Sequence, residues 1–337
     1  MRRAVARGAS RQAKALPPNS LLEQLVPTIS REFPLMGESL RVETNDKRVM
    51  AAAHELFSRY GDATPAAAEP LVLRLLVSDE PAGAVPGERP VFRTQGHLFT
   101  IVLGQHDSAV ADLVRGYAFA IVSPALVADG WRLRHQVMAA LALGMLGPAR
   151  GYLPLHCACV VKGDRSVLLH GPSGAGKSTL AYAAARRGYR MVSEDAVQIG
   201  GTGGARVWGV PWQLLLLPDA ARFFPELAEL EPRLQANGKL KLDVDLESLL
   251  PDSTTPSAPL GPILLLERGA ASGITRLSSD EAVARIEPAW PWQTGWTTGH
   301  QQRLDEVVAR GAYRFMMSGD PDAMSRVLDE FLFREER

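Results

Sequence analysis

The pattern of apolar and polar positions divides the chain near residue 150. Before that point, "SLRVETN" (39–45) alternates as a half-buried strand does, and "DKRVMAAAHELFSRYG" (46–61) has the spacing of an amphipathic helix ending at Gly61. Strand-like runs follow at 71–77, 91–94, 98–103 and 117–122, separated by turn-rich pieces such as "DEPAGAVPGERP" (79–90). The stretch 124–146 has helical periodicity and is expected to stop near Gly147-Pro148. Residues 21–150 thus read as an α+β region with no chemical motif of its own.

After 150 the signals sharpen. "LPLHCACVV" (153–161) reads as a strand, "KGDR" as a turn and "SVLLHG" (166–171) as a second strand, the Gly-Asp pair marking a hairpin. With Gly163-Asp164 as a two-residue turn, counting back along the ladder sets His156 opposite Gly171. A helix over 178–187 follows, closed by Gly188. Strands are then expected at 189–192, 196–199, 206–210 and 213–217, with a helix starting at Asp219. "NGKLKLDV" (237–244) precedes a Pro/Ser/Thr-rich loop (251–262) and the strand "ILLLE" (263–267). The chain ends as helix–strand–helix around 312–319 and 321–333, which makes 151–335 an α/β unit.

Composition narrows the classes. The chain has 337 residues, 46% hydrophobic and 22% charged, with a formal net charge of zero. A neutral balance gives no basic field for nucleic acid or a membrane surface, and no run reaches the roughly 18 apolar residues of a membrane span. "VMAALALGMLG" (137–147) is accordingly read as a buried helix. Residues 1–20 carry Arg2, Arg3, Arg7, Arg11 and Lys14 without the apolar core of a secretory signal, and are expected to form a mobile basic tail. The only cysteines, Cys157 and Cys159, lie two apart in a strand and diverge too far to bond comfortably. They read as reduced core residues, in keeping with a cytoplasmic protein.

One motif carries chemistry. Gly171, Pro172, Ser173, Gly174, Ala175, Gly176, Lys177 and Ser178 satisfy G-x-x-x-x-G-K-[ST], with an apolar strand before and a helix after, and Thr179 follows on the first turn. Such a loop aims backbone N–H groups and a helix N-terminus at phosphate oxygens. Lys177 is expected at the β/γ-phosphates and Ser178 on Mg²⁺, so the expected ligand is a nucleoside triphosphate with that cation.

Two acids follow in "VSEDAVQI" (192–199). A ten-residue helix carries the chain about 15 Å away from the phosphates, and the strand from Tyr189 to Asp195 returns about 20 Å. Glu194 and Asp195 therefore arrive back at the loop. Neighbouring strand residues face opposite ways, so both can serve the site only if the backbone bends at 193–195. Of the 37 basic residues only six are lysine; besides Lys177, Lys239 and Lys241 share one face of an expected strand.

The segment 155–199 resembles the HPr kinase/phosphorylase superfamily, and more closely the HPr-kinase-related bacterial serine kinases, including those that phosphorylate lasso peptides. Looser likeness extends over about 150–335, at "GVPWQLLLLPD", "GKLKLDV", "ILLLER" and "DEAVARI". The resemblance implies a phosphoenolpyruvate-carboxykinase-like P-loop core with a mixed sheet. It implies an ATP- and Mg²⁺-dependent transfer to a Ser or Thr hydroxyl of a peptide or protein. It places His156 near the transferred phosphate, Glu194 as general base, Asp195 on Mg²⁺, and Lys239 and Lys241 by the phosphates or the acceptor. The region 21–150 would present that acceptor, and self-association is a property of related proteins that no stripe in this sequence declares. Two departures stand out. Glu194 replaces the usual Asp, and its extra methylene leaves three outcomes open: an acceptor set further out, a base role moved to Asp195, or a slow site. Thr179 replaces the Glu of true HPr kinases, which argues against HPr itself as acceptor and against the reverse phosphorylase reaction. A nucleotide-binding regulatory module and a small-molecule kinase are the alternatives.

Overall fold

The computed structural model describes residues 26–61, 68–78, 89–201, 204–212, 214–235, 238–286 and 298–333. The basic stretch 1–20 and most of the turn-rich piece 79–90 lie outside the described residues. Asp46 starts the first helix, α1 (Lys47–Phe57), by accepting from the Arg48 backbone N–H at 2.7 Å. This helix crosses between two parallel strands of a seven-stranded sheet: β1 (Ile29–Leu35), β2 (Glu38–Thr44), β3 (Leu71–Val77), β4 (Val91–Gln95), β5 (Leu98–Leu103), β6 (Asp107–Asp112) and β7 (Tyr117–Val122). Their order is β1-β2-β3-β7-β6-β5-β4, with β3 parallel to both β2 and β7 and the rest antiparallel. One face of the sheet packs on α1 and on the helical stretch 124–150, and the resulting core runs from Phe33 to Tyr152.

The helical stretch departs from its expected end. It continues through Gly147 and Pro148 as α2 (Ala139–Arg150) and is closed by Gly151 at φ 71°. Pro148 gives up the bond to the carbonyl four residues back, and the last turn is held beyond it by the Gly151 N–H on the Gly147 carbonyl at 2.8 Å and by the burial of Met145, Leu146 and Gly147. The apolar run 137–147 is largely buried, as its pattern requires, and among the described residues no helix is long and apolar enough to cross a membrane.

The second half is a mixed α/β arrangement of three further sheets. The largest contains β9 (Cys157–Lys162), β10 (Arg165–His170), β11 (Arg190–Ser193), β18 (Ile263–Arg268), β19 (Gly273–Arg276) and β20 (Ala312–Met317), in the order β11-β9-β10-β18-β20-β19. Strands β10, β18 and β20 run parallel, whereas β9 is antiparallel to both β10 and β11. Helices α3 (Lys177–Ala185) and α6 (Pro321–Phe333) pack on one face of this sheet; α4 (Ser279–Arg285) and α5 (Thr298–Ala309) pack on the other. A smaller sheet, β17-β13-β12-β8, is formed by β8 (Leu153–Leu155), β12 (Val197–Gly200), β13 (Arg206–Trp208) and β17 (Ser257–Pro259). The third comprises β14 (Leu214–Leu216), β15 (Arg233–Leu234) and β16 (Leu240–Val244).

Three expectations are corrected here. The strand expected over 153–161 is interrupted at His156 and divides between two sheets, β8 in the smaller and β9 in the larger. The helix expected from Asp219 is two 3₁₀ turns, Pro218–Arg222 and Pro225–Leu227, because Pro225 stops propagation before an α-helix can form. The loop 251–262 contains strand β17.

The interruption at His156 matters for the site. Val197 faces Leu155 in the smaller sheet and Ser193 faces Cys159 in the larger, so the same antiparallel register spans the break; it shifts by one only further along β11, at a bulge between Met191 and Ser193, where Met191 faces Val160. The segments 153–162 and 190–200 are one ribbon that turns a corner from one sheet into the other. At the corner, residues 156 and 194–196 leave the ladder.

Candidate active site

The phosphate-binding loop follows from β10. Arg165 pairs with Lys162 and His170 with Cys157, so the turn at Gly163-Asp164 sets the counted register. Residues 171–176 then wrap to the N-terminus of α3, where Gly176 sits at φ 106°, a conformation a side chain would strain. A Cβ on Gly171 would lie 3.2 Å from the Leu266 carbonyl oxygen, which explains a glycine where the loop passes β18.

Lys177 is buried to 5% exposure, and its ammonium donates to the carbonyls of Gly171 at 2.7 Å and Pro172 at 3.3 Å. Burial lowers its pKa, while the carboxylates of Asp195 and Glu194 pull the other way. The loop thus holds a positive charge in low dielectric with only neutral carbonyls as hydrogen-bond acceptors, which favours an anion beside it.

The backbone bends at Glu194 and Asp195 between β11 and β12, and this brings both acids to α3. Their environments differ. Glu194 is 4% exposed and accepts a hydrogen bond from the Ser178 hydroxyl. Burial, helped by the neighbouring charge of Asp195, pushes its carboxyl up to about 7 against the pull of Lys241 and Ser178. Asp195 turns outward, with more than half of its side chain in solvent, and pairs with His156 Nε2 at 2.9 Å. Crowding raises its pKa, but His156, Lys241 and Lys177 outweigh this and hold the carboxyl below its usual range.

Ser173, Gly174, Gly176, Lys177, Ser178 and Thr179 line one cleft of about 300 Å³ together with His156, Asp195, Lys239 and Lys241. The Lys239 ammonium reaches across from the β15–β16 hairpin to donate to Ser173 Oγ at 2.9 Å. Gly171, Pro172 and Ala175 are outside the cleft lining: Pro172 is exposed, and Ala175 is buried. Glu194 lies behind Ser178, out of the cleft lining.

Arg268 belongs to no phosphate-binding motif in the sequence and joins the cleft through the fold. It ends β18, the parallel neighbour of β10, and its guanidinium lies 3.4 Å from the Cβ position of Gly176. The signal was available: carboxyl ends of parallel strands are where open α/β sheets bind ligands. Cys157 and Cys159 are free and buried, with burial raising both thiols.

No family model matches this chain, and no curated protein matches it. Among solved structures it is similar to one described as the HPr(Ser) kinase/phosphatase from Coxiella burnetii. That similarity has 12% identity and a TM-score of 0.30, covering 55% of this chain and 99% of the other.

Proposed function

We propose that the chain is an ATP- and Mg²⁺-dependent kinase of the HPr-kinase type, with a phosphoenolpyruvate-carboxykinase-like P-loop core, that phosphorylates a Ser or Thr hydroxyl of a peptide or protein. The observation that carries this reading is the convergence of two differently tuned carboxylates, Glu194 and Asp195, on the first turn of the helix that bears Lys177 and Ser178.

The donor set fits Mg²⁺: the Ser178 hydroxyl on the cleft wall is a hard oxygen ligand, and the Glu194 carboxylate behind it would support the cation through that hydroxyl or through a metal-bound water. Among the described residues no three His, Cys, Asp or Glu gather to hold a metal by themselves, so phosphate oxygens would complete the shell. Bound there, the cation would neutralise charge on the β- and γ-phosphates. This assignment exchanges the roles that the family resemblance implies, because Glu194 is the acid in contact with Ser178 and Asp195 is the acid open to an incoming hydroxyl.

In the proposed step, the Asp195 carboxylate accepts the proton of the acceptor hydroxyl. The freed oxygen forms a bond to the γ-phosphorus as the bond to the β-bridging oxygen breaks, and ADP leaves. His156 Nε2 holds Asp195 in place, and Lys177, Lys239 and Lys241 balance the phosphate charge. An aspartate with a depressed pKa is a weak base, and this suits a loose transition state that asks little of proton removal.

The test is mass spectrometry of Ser/Thr-containing peptides and proteins after incubation with Mg-ATP. A gain of about 80 Da with the wild type, absent with Lys177→Ala, is expected. Tight ATP binding with no transfer to any acceptor would instead select the nucleotide-binding module, the reading that Thr179 and Glu194 favour as departures from the kinase pattern.

A further inference from the structure

The same cleft extends beyond the groups that handle the phosphates, and its outer end has a different chemistry. Lys177, Asp195 and His156 mark the reacting end. A triphosphate seated on the loop with its terminal phosphate there must run its α-phosphate and nucleoside outward over Thr179, the next residue of the helix. The walls met there are Phe223, Arg222 and Asp219, from the 3₁₀ segment after β14, and Pro321 and Met324, from the start of α6.

From this we infer that the outer end of the cleft is a nucleoside pocket, in which a purine stacks on the Phe223 wall opposite Met324 and the ribose hydroxyls meet Asp219. The inference rests on the phosphate-loop reading above. Phe223 is half-buried and carries the Arg222 guanidinium 4.5 Å from its ring centroid, so ring and cation form one surface suited to an electron-rich base. That surface is anchored. Phe223 contacts Phe224 at 6.3 Å between centroids, and Phe224 meets Tyr182 of α3 edge-on at 4.8 Å. The wall is therefore tied to the same helix that grips the phosphates, which fixes the distance between the two subsites. Met324, on the first turn of α6 and packed into the core there, still reaches the cleft lining with an adaptable thioether. Asp219 is exposed and lies 3.9 Å from Arg222, a separation longer than a hydrogen bond, so its carboxylate oxygens can accept from hydroxyl donors.

The test compares two probes by calorimetry in the presence of Mg²⁺: ATP, which has a nucleoside, and inorganic tripolyphosphate, which has none. Phe223→Leu is expected to weaken ATP roughly 10-fold, the order of one lost base–aromatic stack, and to leave tripolyphosphate within about 2-fold. Asp219→Asn is expected to weaken ATP alone, and it sits on the surface, so it decides the matter should Phe223→Leu lose both ligands by misfolding. Lys177→Ala should weaken both probes. Unchanged ATP affinity in both the Phe223 and Asp219 variants, or wild-type ATP binding no tighter than tripolyphosphate, overturns the nucleoside pocket while the phosphate loop stands. Failure of the wild type to bind either probe overturns the phosphate-loop reading and this one with it.

Discussion

Ser178 donates its hydroxyl hydrogen to the buried carboxylate of Glu194, so the first turn of α3 is tied to the corner between β11 and β12. That carboxyl titrates near 7 in the folded chain and near 4.5 when unperturbed. Between those values the unfolded state has released the proton and the folded state still holds it. The stabilising contribution is therefore complete below about 4.5 and is lost as pH rises through about 7. Glu194→Gln keeps a neutral acceptor for Ser178 and removes the titration. In EDTA, urea melts of the wild type should lose on the order of 3 kcal/mol relative to Glu194→Gln between pH 4.5 and pH 8. A pH-independent difference between the two proteins would count against the burial of an ionisable acid here.

The two acids should separate kinetically. Asp195→Asn is expected to slow phosphoryl transfer by about 10²-fold, the low end of acid–base contributions because little proton removal is asked of it, with little change in ATP affinity. Glu194→Gln should instead raise the Mg²⁺ concentration needed for half-maximal rate. Magnesium titrations of both variants check this, and an unaltered Mg²⁺ requirement in Glu194→Gln would return the metal role to Asp195.

Gly209 presses directly on the strand that delivers the acids. A Cβ there would fall 2.1 Å from the Val192 carbonyl oxygen and 2.7 Å from Ser193 Cβ. Both neighbours belong to β11, so the clash cannot be relieved by rotating a flexible side-chain end. Gly209→Ala should destabilise the chain by about 2–4 kcal/mol, measurable as a lower denaturation midpoint. A change below 0.5 kcal/mol would mean that the two backbones separate easily.

The seam between the two halves is tested at Tyr152. Its hydroxyl donates to the Met36 carbonyl at 2.7 Å and lies 3.3 Å from Glu38, whose carboxylate also accepts from Arg150 Nε at 3.2 Å. Tyr152→Phe leaves the buried Met36 acceptor unpaired and should cost about 1–3 kcal/mol. Calorimetric unfolding of the variant checks the magnitude.

Much of this architecture is legible from residues alone, for physical reasons that also mark where legibility stops. Gly163-Asp164 between two apolar runs specifies the hairpin, and "GPSGAGKS" with its flanking strand and helix specifies the loop. β1 and β6 escape because their patterns are weak: "ISREFPL" has a run of polar residues and a proline on a sheet edge, and "DSAVAD" alternates around alanines. The break at His156 is invisible because Leu155 and Cys157 are both buried strand residues, and only tertiary structure sends them to different sheets. Glu194 and Asp195 can be placed at the loop by length, but their division of labour depends on burial, which adjacent acids in a sequence do not reveal.

The ribbon corner also makes one contact of the site depend on both sheets at once. His156 stands on one arm of the ladder and Asp195 on the other, in the gap between the sheets, so a distortion of either sheet that opens the corner would part them. The glycine loop, by contrast, springs from β10, which belongs to the larger sheet alone.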